Sequence, residues 1–157
     1  MSPTTHSNSP REAVRAPSAR SAPLGYDAVV SYLLVAAGGA LGATARFLLT
    51  DLVHRVTTPF FPWGTFIVNV SGCFVFGLVA GLGDARGVVT PNVRAFVLVG
   101  ILGGYTTFSS FTFETMSLAR GGQIPQALGN ILGQVTLGLL AFWAAWALVQ
   151  ATLGGRS

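Results

Sequence analysis

The sequence contains no lysine, a single cysteine and few charged residues of any kind. Charged side chains make up 9% of the 157 residues, whereas hydrophobic residues make up 51%. All of the basic charge is arginine, and the arginines are scattered over the N-terminal tail and the ends of the hydrophobic runs, without a basic stripe. The formal charge of +4 therefore does not indicate a nucleic-acid-binding protein, and the composition is typical of a membrane protein.

Residues that could perform catalysis are also scarce. Cys73 has no second thiol to pair with and lies inside a hydrophobic run, where it is expected to be a small buried apolar residue. His6 lies in the N-terminal tail and His54 in a predicted loop. There is no HExxH, no GxSxG and no carboxylate pair, so the sequence does not predict an enzyme.

Four hydrophobic runs are each near the length of about 20 residues that a helix needs to cross a bilayer. We predict an all-α integral membrane protein with spans at about residues 28–49, 63–82, 94–118 and 125–153, together forming one domain at 27–153. The first 26 residues are rich in Ser, Pro, Ala and Arg and predict a disordered polar tail. Residues 154–157 are predicted to be a short C-terminal tail.

An even number of spans places both termini on one side of the membrane. That side carries Arg11, Arg15, Arg20, Arg86, Arg94 and Arg156, whereas the other side carries Arg55 and Arg120. The positive-inside rule therefore predicts a multi-pass protein of the cell membrane with cytoplasmic termini. Without the N-terminal tail, the excess of arginine on the side of the termini falls to three against two.

Each span contains two glycines four residues apart, which let helix backbones approach closely in lipid. The pairs are Gly38 and Gly42, Gly77 and Gly81, Gly100 and Gly104, and Gly129 and Gly133. Four helices alone enclose little volume, so we expect a second copy in a symmetric dimer to supply the missing walls of any water-accessible path.

The third span contains residues that are poor helix formers near the expected bilayer midplane. The segment at residues 103–107 contains Gly103, Gly104, Thr106 and Thr107, and it predicts a break in the helix. Non-helical backbone at this depth is tolerated only where its carbonyls face protein, water or an ion, and such carbonyls suit a hard cation such as sodium. The alternative is a straight glycine-rich helix packed against its neighbours.

Further side chains in the spans have an anion-binding interpretation and a structural one. Phe108 and Phe111 could direct positive ring edges into a pore, or pack in the core or against lipid. Asn69 could donate two N–H groups to an ion, or hydrogen-bond to a neighbouring helix.

Two charged residues in the spans leave similar alternatives open. Arg46 in the first span and Glu114 in the third could pair, could lie at the interface, or Glu114 could face a water-filled vestibule. In the fourth span, Asn130 and Gln134 share a helical face and Thr136 lies round from them, so they could form a polar track or packing hydrogen bonds.

Three of these segments together resemble the Fluc (CrcB) family of bacterial fluoride channels. They are GGALGATARF in the first span, WGTFIVNVSGCFVFG in the second and GGYTTFSSFTFE in the third, and the resemblance runs from about residue 31 to 148. It implies a passive channel that exports fluoride from the bacterial cytoplasm and so lowers its toxicity. It also implies an antiparallel, dual-topology dimer in the plasma membrane, with a structural sodium ion at the break in the third helix.

The resemblance also assigns residues. The sodium-binding carbonyls fall on Gly103 and Thr106, with Thr107, Arg46 and Glu114 in supporting places. The fluoride pathway falls on Asn69, Phe108, Ser109, Ser110 and Phe111, and Thr136 is the fourth-helix residue that we assign to it.

Other readings of the sequence remain. The arginine-bearing tail departs from the weak charge bias that dual topology requires, so the partner could be an oppositely oriented paralogue in place of a second copy. A proton-coupled exporter of the small multidrug type also has four spans, but it needs an acid in the middle of the first span, and there is none between Ser31 and Leu49. A non-conducting membrane assembly subunit is the third possibility.

Overall fold

The computed structural model describes residues 25–154, and all of the regular structure in that range is helical. In chain order the elements are α1 (Tyr26–Val56), α2 (Trp63–Arg86), α3 (Pro91–Val93), a π-helical segment (Arg94–Leu102), α4 (Gly103–Tyr105), α5 (Phe108–Arg120) and α6 (Ile124–Leu153). The predicted N-terminal tail, up to residue 24, and residues 155–157 of the predicted C-terminal tail lie outside the described residues.

Four helical stretches are long and apolar enough to cross a membrane. They are Asp27–Val56, Trp63–Arg86, Pro91–Arg120 and Ile124–Leu153. Each exceeds the length of about 20 residues that spanning requires. Within residues 25–154, the predictions of an all-α fold and of four helices suited to crossing a membrane are therefore confirmed.

Helix α1 continues beyond its predicted span. Residues 50–56, expected in a connection, are helical, so that prediction is wrong for the first half of the 50–62 segment. Val53 in this stretch is buried, with 6% of its surface exposed. Asp51 and Arg55 form an ion pair of 2.7 Å one turn apart on the exposed side, which supports the extra turns and places His54 on a helix.

Glycines determine where the helices approach most closely. Helix α2 packs along α6, and α1 packs along the π-helical segment and α4. A Cβ atom added to Gly42 would meet the backbone oxygen of Ile101, and one added to Gly77 would meet that of Phe142. Gly129 differs from its predicted role, since nothing lies within 4 Å of the Cβ position there.

Two residues of extended backbone separate α4 from α5. Thr106 has φ −76° and ψ 154°, and Thr107 has φ −147° and ψ 113°. Helix α5 then begins at Phe108 with Thr107 as its N-cap, because the Thr107 hydroxyl accepts a hydrogen bond of 3.2 Å from the backbone N–H of Ser110. These two threonines lie at the centre of the candidate functional site.

Candidate functional site: an extended threonine pair between three cavities

The side chain of Asn69 holds the extended segment in place from helix α2. Its Oδ1 accepts a hydrogen bond of 2.8 Å from the backbone N–H of Thr107, and its Nδ2 donates one of 3.1 Å to the carbonyl of the same residue. A carboxamide offers one acceptor and two donor hydrogens in a plane, so it matches both polar groups of a single extended residue. Asn69 thus substitutes for the helical hydrogen bonds that Thr107 does not make.

The break redirects two backbone donors away from their helical acceptors. In a continuous helix the N–H of Thr107 would bond to the carbonyl of Gly103, and the N–H of Ser110 to that of Thr106. Here the first donates to Asn69 and the second to the Thr107 hydroxyl. Among the backbone hydrogen bonds of residues 25–154, neither carbonyl regains a main-chain donor.

A buried chain of side-chain hydrogen bonds extends from Asn69 into helix α6. Nδ2 of Asn69 donates to Oε1 of Gln134 at 2.7 Å, and Nε2 of Gln134 donates to Oδ1 of Asn130 at 2.8 Å. Asn130 in turn donates to the hydroxyl of Thr115 at 2.8 Å, and Thr115 donates to the carbonyl of Phe111. Asn130 is fully buried and Gln134 is 8% exposed, so the chain lies almost entirely out of contact with solvent.

The first cavity lies between α2, α5 and α6 and has a volume of about 320 Å³. Aromatic rings and polar groups both line it: Asn69, Gly72, Cys73, Phe76, Thr106, Thr107, Phe108, Phe111, Gln134, Val135 and Phe142. The rings of Phe108 and Phe111 are 5.5 Å apart between centroids and tilted by 45°. Phe108 is 78% exposed on the single chain, whereas Phe111 is half-buried.

The second cavity, of about 380 Å³, lies on the α1 side of the extended segment. It is lined by Ala43, Arg46, Phe47, Thr50, Thr65, Thr107, Ser110 and Glu114. Thr65 donates a hydrogen bond of 2.6 Å to Oε1 of Glu114. The Oε2 atom of Glu114 and the Nε atom of Arg46 are both buried without a hydrogen-bond partner.

The proposed pairing of Arg46 with Glu114 is not present as an ion pair in the structure. Among the described residues the only salt bridge shorter than 4.0 Å joins Arg55 to Asp51. Arg46 and Glu114 nevertheless line the same cavity.

A third cavity, of about 490 Å³, opens beyond Glu114 toward the connection between α1 and α2. His54, Thr57, Thr58, Pro59, Phe61, Pro62, Phe113, Glu114, Ser117 and Leu118 line it. Thr107 lines the first and second cavities, and Glu114 lines the second and third. The three cavities are therefore neighbours in this order, with Thr107 between the first two and Glu114 between the last two.

The structure brings most of the sequence-predicted residues to these cavities, and the three exceptions are Gly103, Ser109 and Thr136. Ser110 lines the second cavity, and Ser109 lies 3.2 Å from the Thr107 hydroxyl, oxygen to oxygen, without lining any of the three. Thr136 is exposed and lines none of them. Because each residue advances a helix by about 100°, Thr136 points away from the face that carries Gln134, two residues earlier.

Two residues of the site were not selected from the sequence. The sequence marks Gln134 only as one of several polar residues in the fourth span, and it does not assign Thr65 to the site. The spacing of four between Asn130 and Gln134 was the available signal for a shared polar face. Nothing in the local sequence distinguishes Thr65 from other hydroxyl residues that hydrogen-bond only within their own helix.

Comparison with known proteins identifies relatives over most of the chain. Residues 33–146 match the family model described as CrcB-like protein, Camphor Resistance (CrcB). A protein of Methylobacillus flagellatus named fluoride-specific ion channel FluC is 42% identical over 122 residues, which cover 77% of this chain and 95% of the relative. Proteins of the same name from Opitutus terrae and Solibacter usitatus are 46% and 47% identical over 114 residues each, covering 71% and 73% of this chain and 86% and 93% of those relatives. The family model covers most of the chain, the relatives are more than 40% identical to it, and both agree with the three motifs. This chain belongs to the CrcB family.

Proposed function

We propose that the protein is a fluoride channel through which fluoride leaves the bacterial cytoplasm passively across the plasma membrane. The observation that carries this proposal is the row of three neighbouring cavities that share Thr107 and Glu114 as lining residues. Rings and hydrogen-bond donors line them, in a chain whose relatives are named fluoride-specific ion channels. Those names do not favour the exporter or the assembly subunit.

The lining of the cavities suits a small, strongly hydrated anion. Removing such an ion from water is costly unless donors replace the water molecules. The hydroxyl of Ser110 and the partner-free Nε of Arg46 are available along the second cavity, whereas the hydroxyl of Thr107 already donates to Ser110. Phe108 and Phe111 offer ring edges in the first cavity. Several modest sites in series allow an ion to enter and also to leave, as conduction requires.

A fluoride-electrode assay on reconstituted protein tests the proposal. Liposomes loaded with potassium fluoride should release fluoride when valinomycin dissipates the membrane potential, and liposomes loaded with chloride should release little. Protein-free liposomes and heat-denatured protein are the controls. Absence of protein-dependent fluoride release from folded protein would overturn the assignment.

We also propose that the third span is broken at the bilayer midplane and that a structural sodium ion binds there. The carbonyls of Gly103 and Thr106 fit this role, because both have lost their helical donors and oxygen ligands suit a hard cation. The bound ion would add positive potential beside the anion path. Exchange of sodium for a large organic cation during purification should lower fluoride release, and unchanged release would refute the sodium site while leaving the channel assignment intact.

The assembly that we propose is an antiparallel dimer, formed by two copies or by this chain and an oppositely oriented paralogue. The large exposed fraction of the Phe108 ring and the exposure of Gly103 on the single chain support a second wall supplied by another subunit. Reporters fused to the C-terminus distinguish the two arrangements. Signal on both sides of the membrane supports dual topology and a homodimer, whereas signal on one side supports a paralogue partner.

A further inference from the structure

His54 lies at the end of the row of three cavities and has no part in the site described above. It is exposed near the end of α1, and it lines the third cavity together with Glu114 of α5. A Cβ atom added to Gly64 would lie 3.2 Å from Nε2 of His54, so the imidazole also packs against the first turn of α2. The helical position of residue 54, which the sequence alone did not predict, therefore brings an ionisable ring to the cavity.

The third cavity itself contains few groups that can change their charge. Within residues 25–154, His54 and Glu114 are its only ionisable lining side chains, and the others are threonine, serine, proline, leucine and phenylalanine. The two are close enough for their charges to interact. The net charge of the third cavity therefore depends on the protonation of His54 beside Glu114.

Other charged side chains of the surrounding elements lie outside this cavity. Asp51 and Arg55 of α1 form an ion pair with each other, and neither lines it. Arg46, two turns before His54, lines the second cavity, and Arg120 at the end of α5 lines none of the three. The first turn of α2 carries no charged side chain.

We propose that His54 is a proton-dependent anion site of the third cavity: its imidazolium attracts fluoride into the cavity, and the neutral ring does not. This inference rests on the proposed function, since it takes the three cavities as the path of fluoride. The imidazolium also offsets the negative charge of Glu114, which repels an anion from the boundary of the second and third cavities. Acidification therefore favours the entry of fluoride at this end of the path.

The expected effect is modest, because His54 is exposed to solvent. Two unit charges about 4 Å apart in water interact strongly enough to change occupancy about fivefold. A histidine changes its charge between about pH 5 and 8. At a fluoride concentration well below saturation, the rate of release should therefore rise about two- to fivefold from about pH 8 to about pH 5.5. Potassium gluconate at about 1 M should reduce this rise, because the Debye length is then about 3 Å.

Two substitutions of His54 separate its charge from its packing. H54Q keeps a polar side chain that cannot be protonated in this range, so it should match the wild type at pH 8 and lack the rise at pH 5.5. H54R carries a permanent charge at the same position and should release fluoride at the higher rate at both pH values.

The chain also offers two matched controls. R55Q removes a positive charge from the next residue of α1, which lines none of the three cavities, and should keep the wild-type response to pH. H6Q removes the other histidine of the sequence, which belongs to the N-terminal segment outside the described residues, and should also keep that response.

The full-length protein is reconstituted into liposomes with the same pH on both sides, so that the orientation of the subunits does not affect the comparison. A fluoride electrode measures the initial rate of release. Protein-free liposomes at each pH give the background to be subtracted, which includes any diffusion of hydrogen fluoride through the lipid. Broadening of the ¹⁹F NMR line of fluoride by the protein in detergent micelles measures binding without flux.

The outcomes are distinguishable. A rise in release that is absent from the wild type, or that persists in H54Q, refutes the role of His54 and leaves the channel assignment intact. If H54Q does not fold, a rise of the wild-type size in H54R has the same meaning. If the wild type releases no fluoride at either pH, the channel assignment fails. In that case, greater line broadening by the wild type than by H54Q at pH 5.5 would still support an anion site at His54, and equal broadening would overturn it.

Discussion

Replacement of Asn69 by leucine is the most informative single change in the part of the site that determines the backbone. Leucine has a similar volume but cannot replace any of the three hydrogen bonds that Asn69 makes with Thr107 and Gln134. Thr107 is 9% exposed and Gln134 is 8% exposed, so water has little access to the groups left behind. The substitution therefore leaves buried polar groups without partners.

The magnitude follows from the number of groups that lose their partners. A buried polar group without a partner costs about 1–3 kcal/mol, and the N–H and carbonyl of Thr107 and Oε1 of Gln134 all lose theirs, so N69L should lower the free energy of unfolding by about 3–9 kcal/mol. Rewinding of the chain, with the Thr107 N–H returning to the Gly103 carbonyl, would recover part of this but would abolish the extended segment. In either case fluoride release should fall strongly, because Thr107 lines two of the cavities.

Denaturant titration of purified protein in detergent micelles measures the stability, and fluoride release from liposomes measures the function. S71A is the matched control, since Ser71 lies two residues further along α2 and makes a hydroxyl–hydroxyl bond of 2.8 Å to Tyr105, just before the extended segment. Its loss should cost about 1 kcal/mol. If N69L were no less stable than S71A and released fluoride like the wild type, the positioning role of Asn69 would be refuted.

Two further predictions concern close helix contact and the aromatic lining. G42A should lower the free energy of unfolding by about 1–3 kcal/mol, because the new Cβ would meet the backbone oxygen of Ile101, which cannot rotate away. G39A in the same helix has nothing within 4 Å and should be neutral or gain up to about 1 kcal/mol from helix propensity, and equal stabilities in denaturant titrations would contradict the proposed contact. F108I and F111I should each reduce fluoride release while the oligomeric state on size-exclusion chromatography is unchanged, because the ring edges are lost and the apolar volume is largely kept. Wild-type release in both variants would argue against contact between the rings and fluoride.

Helix existence was predictable because it depends on local properties. A run of about 20 apolar residues has to be helical in a bilayer, where every backbone group needs a partner within its own segment. The prediction failed at residues 50–56, where charged side chains suggested a loop although the i, i+4 pair of Asp51 and Arg55 is compatible with a helix. Where a helix ends depends on ion pairs of this kind and on which residues are buried, and composition does not reveal either.

The outcome for glycines illustrates the same limit. Spacing alone made Gly42 and Gly129 equivalent, yet the first faces the backbone of a neighbouring helix and the second faces open space. Which side of a helix meets a neighbour depends on how the helices are arranged around one another, and a period of four does not contain that information.

By itself, the amino-acid sequence determined the four apolar helices, the glycine- and threonine-rich segment of the third span and the family to which the chain belongs. Each of these depends on residue type and order along the chain, so neighbouring residues are sufficient to predict it. Only the tertiary structure decided that the two amide hydrogens of Asn69 donate to Thr107 and Gln134. It also decided that Gln134 and not Thr136 lines the first cavity. Finally, it decided that Arg46 and Glu114 share a cavity without forming an ion pair. Hydrogen-bond partners separated by 38 and 65 residues are selected by helix packing, and their choice depends on distances and directions that no local pattern specifies.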